Sequence, residues 1–94
     1  MKYPQQQQLK NKFNYNAGFG RLTRRFGRGA RFVGYENPKS EWKILMNNQL
    51  YPAKDLIWIW HFGNIPTDKV VTRIDGNIKN DRIENLELTP AGNS

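Results

Sequence analysis

The sequence predicts a small α+β domain with N-terminal β-hairpins and one buried helix. Alternating apolar residues in Glu41–Tyr51 indicate a hairpin, and the dense apolar run in Pro52–Phe62 indicates a buried helix. Val70–Leu88 then reads as a strand, a turn, a polar loop and a second short strand. A chain of 94 residues is long enough for one hydrophobic core but not for two.

The N-terminal segment has a composition typical of a flexible arm. It contains four consecutive glutamines, several asparagines and few aliphatic residues, so it has little apolar surface to offset the entropy cost of ordering. We therefore expect a flexible arm over residues 1–17 and a single domain over residues 18–94. Phe13, Tyr15 and Phe19 could dock on that domain or stack on bases, and docking is favoured.

An arginine-rich stretch follows in Gly20–Tyr35. Leu22, Phe26 and Phe32 are apolar anchors, which predicts short strands joined by an arginine-rich loop. The stretch has no acidic residue, and its five arginines are Arg21, Arg24, Arg25, Arg28 and Arg31. Guanidinium groups pair with phosphate oxygens, so the pattern predicts a clamp on a nucleic-acid backbone. An ordinary solvated hairpin is the alternative.

Charge is unevenly distributed between the two halves of the chain. Residues 1–47 hold ten Lys/Arg against two acids, or +8, whereas residues 48–94 hold five against six, or −1. Such asymmetry is typical of a polyanion-binding half beside a neutral structural half.

The hairpin and the helix are predicted as scaffold. In the hairpin, Trp42, Ile44 and Met46 alternate as an inward face, and Asn47-Asn48 suits a tight turn. For the helix, Pro52 suits the entry and Gly63 the exit, although a buried strand is the alternative for so short an apolar run. His61, at the helix end, is predicted to cap backbone carbonyls rather than to act in catalysis.

Composition excludes several classes of protein. The chain has no cysteine and one histidine, which excludes disulfides, thiolate metal ligands and a zinc site built from histidines. No apolar run approaches the ~20 residues that a membrane span needs, and Met1–Gln8 lacks a signal-peptide core. We therefore expect a cytoplasmic protein with no membrane partner.

Val70–Leu88, V-V-T-R-I-D-G-N-I-K-N-D-R-I-E-N-L-E-L, resembles the core of the HNH nucleases. That family has a hydrophobic strand, a histidine, Ile-Asp-Gly-Asn, a polar loop and Asn-Arg-Ile-x-Asn-Leu. With the upstream hairpin and L-I-W-I-W-H-F-G-N-I-P, the resemblance to small phage-type HNH proteins covers about Phe19–Thr89. It implies a ββα-metal unit, in which two strands and a helix hold a divalent ion against a scissile phosphate.

The positions that match the family's active site imply a degenerate unit. The base position holds Arg73, which stays protonated and has no acceptor, and Thr72 stands where related enzymes often have a metal-binding acid. Asn85 matches the central asparagine, and Asp75 is at most a weak cation ligand. After Thr89, proline and glycine predict a poor closing helix. We expect no cofactor, with Mg²⁺ or another divalent metal only if the protein is an active nuclease.

The predicted function is nucleic-acid binding without cleavage, with duplex DNA as the expected partner. The resemblance to phage-type HNH proteins implies an origin in a phage or mobile element, and so a location in a bacterial or phage-infected cell. The predicted contacts are the five arginines of Gly20–Tyr35 together with Arg73 and Lys79. One alternative is a phage-encoded inhibitor that binds a host defence protein or ribonucleoprotein complex. The other is a metal-dependent HNH endonuclease, in a form inactivated at Arg73.

Overall fold

The computed structural model describes residues 3–24, 34–37, 40–46 and 48–91. It confirms the mixed α+β class. In chain order, the elements are α1 (Gln6–Lys12), β1 (Phe13–Asn16), β2 (Arg21–Arg24), β3 (Tyr35–Asn37), β4 (Ser40–Met46), β5 (Gln49–Pro52), α2 (Ala53–Phe62), β6 (Lys69–Arg73), a 3-10 turn (Ile83–Asn85) and β7 (Leu86–Pro90). None of the helices among these residues is long and apolar enough to cross a membrane.

The strands form three small antiparallel sheets around helix α2. Strand β1 pairs with β2, strands β3, β4 and β5 form the second sheet, and β6 pairs with β7. Helix α2 contacts α1, β2, β4, β5, β6 and the 3-10 turn. The core therefore lies around α2, as expected of a small domain in which one helix must cover several short sheets.

Helix α2 confirms the predicted buried helix. Leu56, Ile57 and Ile59 are completely buried, because apolar residues cover most of its faces. Its end is set by Gly63, which has φ 91° and donates its N–H to the carbonyl of Ile59 at 2.9 Å. His61 Nδ1 lies 2.8 Å from the carbonyl oxygen of Ile57, so the imidazole contacts the helix backbone one turn back, rather than the free carbonyls at the helix end that its predicted capping role involves.

The β4–β5 hairpin also matches the prediction. Ile44 and Met46 are buried and Trp42 packs against the core. Met46 pairs with Gln49, and Asn48 takes φ 63°, the left-handed conformation that asparagine tolerates in tight turns. Asn47 lies outside the described residues.

The N-terminal segment differs from the expected flexible arm. Its described part, residues 3–17, contains α1 and β1, and Leu9 (0% exposed) and Phe13 (8% exposed) are in the core. Gln6 Nε2 donates to the carbonyl of Trp60 at 3.2 Å, and Trp60 Nε1 donates to the carbonyl of Phe13 at 3.0 Å. Glutamine is a good helix former, and two apolar side chains with these cross-chain hydrogen bonds anchor the segment on α2. Docking is thus observed for Phe13, whereas Phe19 is 63% exposed.

Strands β2 and β3, which flank the arginine-rich stretch, pair with other strands rather than with each other. Strand β2 pairs with β1, with Arg24 opposite Phe13, and β3 pairs with β4. Three of the five arginines assigned to the phosphate clamp, Arg25, Arg28 and Arg31, lie outside the described residues.

The burial of Leu9 gives a stability test of the N-terminal segment. Leu9→Ala should lower the free energy of unfolding by about 2–4 kcal/mol, because it removes a fully buried side chain and leaves a cavity. Urea unfolding followed by tryptophan fluorescence measures this change. The exposed Lys12→Ala is the matched control and should change stability little. A Leu9→Ala protein as stable as wild type would show that residues 3–17 are an arm after all.

Candidate functional site

The strand pair β6–β7 frames the candidate site. Arg73 pairs with Leu86 and Thr72 with Glu87 across the ladder, and Ile74 N–H donates to the carbonyl of Asn85 at 2.7 Å. Val71 and Leu86 are buried and attach this ladder to the core, while Thr72 is half-buried. The polar loop between the strands is therefore held at both ends.

Asp75 and Asn85 organise that loop. Asp75 Oδ1 accepts hydrogen bonds from Asn77 N–H and from Asn85 Nδ2, both at 2.8 Å, and Asp75 Oδ2 accepts one from Asn80 Nδ2 at 3.1 Å. Asn85 Nδ2 also donates to the carbonyl of Asn80 at 3.0 Å, and Asn85 Oδ1 accepts from Asp75 N–H at 3.2 Å. The hydrogen bond from Asn77, then those from Asn85 and Asn80, lower the pKa of the exposed Asp75 carboxyl.

Arg73 points inward and forms ion pairs. Its Nε donates to Asp81 Oδ1 at 2.7 Å, and its Nη2 lies 2.6 Å from the same oxygen and 3.3 Å from Glu41 Oε1. The Arg73 side chain is 8% exposed. Its guanidinium therefore binds two carboxylates of the chain itself, and it does not project from the surface as a phosphate ligand would.

Asp81 is the buried partner in this cluster. It is 0% exposed, and its Oδ2 has no hydrogen-bond donor, with Arg21 Nη1 3.6 Å away as an ion-pair partner. Burial raises the pKa of Asp81, while the positive charges of Arg73 and Arg21 offset part of that rise. The sequence predicts neither the burial of Asp81 nor a role for Glu41.

Arg21 is also engaged within the fold. Its Nη1 donates to the carbonyl of Gly20 at 3.2 Å, its Nη2 donates to the carbonyl of Lys79 at 3.4 Å, and its guanidinium lies 4.6 Å from the ring centroid of Trp42. By contrast, Arg24 is exposed on β2. Lys79 is half-buried beside this cluster, with its backbone N–H bonded to Asn77 Oδ1 at 2.9 Å. Among the described predicted contacts, the structure therefore brings Arg21, Arg73 and Lys79 together and leaves Arg24 on the surface.

These residues do not fit a divalent metal ion. Both oxygens of Asp75 already accept hydrogen bonds within its loop, and Asp81 faces two guanidinium groups that would repel a second cation. His61, on helix α2, packs against the aromatic rings of Tyr15 and Trp60. Within the described ranges, no group of three or more His, Cys, Asp or Glu side chains could hold a metal.

The Asp75–Asn85 contact predicts a reversal of pH dependence. In wild type, the lowered pKa of Asp75 gives a stabilising contribution above about pH 4 that is lost as the pH falls through the folded-state pKa. Asn85→Asp puts a second carboxylate beside Asp75 Oδ1, which raises the pKa of one member of the pair. The contribution of this carboxylate pair to the free energy of unfolding should then be largest below about pH 4 and should be lost as the pH rises.

Thermal melts from pH 3 to pH 8 measure this reversal, with Asn85→Ala as the control that lacks both the hydrogen bond and the added charge. The melting temperature of Asn85→Asp should approach that of Asn85→Ala at pH 3 and lie several degrees below it at pH 7. Parallel pH profiles for the two variants would contradict the observed contact.

Comparison with known proteins gives one family match. Residues 51–92 match the family model described as HNH endonuclease, a range that begins in β5 and includes α2, β6, the polar loop and β7. Searches of curated proteins and of solved structures each returned no significant match. The match contains Arg73, Asp75, Asp81 and Asn85, and its antiparallel strand pair is compatible with an HNH-like ββα unit. Over residues 51–92, a little less than half of its length, the chain is thus similar to the HNH endonuclease family.

Proposed function

We propose that this HNH-family protein binds nucleic acid, with duplex DNA as its target, and does not cleave it. The match of residues 51–92 to the HNH endonuclease model supports a nucleic-acid-related protein of nuclease type. The observation that carries the finer proposal is the inward Arg73 guanidinium, which occupies the base position and is fixed by Asp81 and Glu41.

Cleavage by an HNH unit requires a group that deprotonates water and a cation that stabilises the leaving oxygen. Arginine has no acceptor for that proton, and the Arg73 guanidinium is paired with the carboxylates of Asp81 and Glu41. Thr72, half-buried in β6, is a hydroxyl where related enzymes often have an acid. The residues at these positions therefore support binding rather than hydrolysis.

The proposed phosphate contacts come from Arg24 and from the three arginines that lie outside the described residues. Arg24 is exposed on β2 and leads directly into the stretch that holds Arg25, Arg28 and Arg31. The net charge of +7 favours association with a polyanion. Arg21 and Arg73 act indirectly in this proposal, because their guanidinium groups stabilise the fold from which the arginine-rich stretch extends.

A second candidate function is inhibition of a host protein or ribonucleoprotein complex by a phage protein. Leu45 and Leu50 are paired across β4 and β5 and are 52% and 50% exposed, so they offer an apolar contact on a sheet surface. An electrophoretic shift with plain duplex DNA at moderate salt separates the two functions, since a protein-directed inhibitor need not bind free DNA.

Absence of cleavage is tested with supercoiled plasmid, excess protein and Mg²⁺, Mn²⁺ or Ni²⁺. We expect no nicking above the buffer control. Arg73→His alone should not produce nicking either, because Thr72 stands where related enzymes often have a metal-binding acid. Nicking that co-purifies with the protein and is lost on Asn85→Ala would overturn the proposal. Efficient Mg²⁺-dependent cutting by Arg73→His would show that this protein is a nuclease disabled at one residue.

Salt dependence tests the phosphate contacts. If about four or five phosphates are neutralised, log K for duplex DNA should fall against log salt with a slope of about −4. Alanine at Arg24, Arg25 and Arg28 should flatten this slope by roughly one unit for each lost contact. Lys69→Ala, a charge change on β6 outside the arginine-rich stretch, is the control. A slope that the triple replacement leaves unchanged would favour the inhibitor function.

A further inference from the structure

We propose that the guanidinium of Arg73 fills a cation position formed by Asp81 and Glu41, and that a divalent ion can take this position only when Arg73 is absent. A single nitrogen, Arg73 Nη2, lies 2.6 Å from Asp81 Oδ1 and 3.3 Å from Glu41 Oε1. Two carboxylates from separate parts of the chain, strand β4 and the loop after β6, thus converge on one positive group.

The burial of Asp81 is the reason that this position needs a cation. Its side chain is 0% exposed, and a buried carboxylate without a counter-charge is strongly destabilising. Its Oδ2 is also buried and has no hydrogen-bond donor, with only the more distant Arg21 Nη1 at 3.6 Å, so most of the compensation for this carboxylate comes from Arg73 at Oδ1. The pair of Asp81 and Glu41 therefore includes one buried oxygen, Asp81 Oδ2, that accepts no hydrogen bond.

The surrounding charges are balanced only while Arg73 is present. Arg21 Nη1 lies 3.6 Å from Asp81 Oδ2, and Lys54 Nζ lies 4.0 Å from Glu41 Oε1 and 3.0 Å from Asp55 Oδ1. The cluster thus has three cations and three carboxylates. Without the Arg73 guanidinium, one carboxylate is in excess beside a newly opened space.

A hard divalent ion is the natural replacement for that guanidinium. Carboxylate oxygens are the preferred ligands of Mg²⁺ and Mn²⁺, and water completes such sites where the protein supplies only two ligands. In the wild-type chain the same position already contains positive charge, which would repel an added ion. The inference therefore predicts opposite responses to Mn²⁺ in two proteins that differ at Arg73.

The experiment is a thermal melt of the full chain in EDTA and in millimolar Mn²⁺, with Mn²⁺ binding followed by electron paramagnetic resonance. Wild type should have the same melting temperature in both buffers and should not bind Mn²⁺ at this cluster. Arg73→Ala should melt several degrees lower than wild type in EDTA and recover much of that loss in Mn²⁺. Arg73→Gln, which fills more of the space, should respond in the same direction.

Three controls assign the response to this cluster. Arg73→Ala combined with Asp81→Asn should be more stable than Arg73→Ala in EDTA and should not respond to Mn²⁺, because the excess charge is gone. Combining Arg73→Ala with Glu41→Gln should weaken the response. Lys12→Ala removes an exposed cation outside the cluster and should have the same melting temperature as wild type in both buffers.

Two results would overturn the inference. The first is Mn²⁺ binding by wild type that is lost on Asp81→Asn, since the guanidinium would then not occupy the cation position. The second is the absence of any Mn²⁺ response in both Arg73→Ala and Arg73→Gln, including failure of both variants to fold in Mn²⁺. Neither readout involves nucleic acid, so this test is independent of the proposed DNA-binding function.

Discussion

Asp81 is completely buried and carries a carboxylate, so the fold around it has to supply positive charge. Arg73 from β6 and Arg21 from β2 supply it, and Glu41 of β4 binds the far side of Arg73. These ion pairs connect strands of three separate sheets, directly or through Arg73, to Asp81 in the polar loop. Removal of one partner from a buried pair typically costs about 3–5 kcal/mol, because the other charge is left unpaired in a low-dielectric site. In a domain of this size that is a large share of the total stability.

Under the proposed function, the same cluster also limits the chemistry of the segment that matches the HNH model. An arginine at the base position cannot accept a proton, and its ion pairs with Asp81 and Glu41 direct the guanidinium into the protein. The neighbouring Asp75–Asn85 network is different, because it fixes the loop backbone and needs neither a base nor a cation. The loop architecture and the catalytic positions are therefore physically separable, and one can persist without the other.

Local patterns made much of this fold predictable from the sequence. The alternation of Ile44 and Met46, the apolar run of α2 and the glycine after it each depend on neighbours within a few residues. The burial of Leu9 was not predictable in this way, because glutamine-rich composition suggested disorder and the anchoring contacts come from α2, more than 40 residues along the chain. The site shows the same limit. A lone arginine on a half-buried strand signals that an acidic partner must exist, but choosing Asp81 and Glu41 required the tertiary structure.

The inward arginines also change how the charge of the chain should be interpreted. Arg73 and Arg21 bind Asp81, and Arg82 donates from Nε and Nη2 to the carbonyl of Gly18 at 3.2 and 2.8 Å. These three side chains connect the β1–β2 turn and the polar loop through contacts within the chain, and their charges contribute to the long-range field of the protein. The net charge of +7 is therefore not a count of direct contacts with a polyanion. The electrostatic attraction follows from the whole charge, whereas the salt dependence of a bound complex counts only the phosphates that are neutralised.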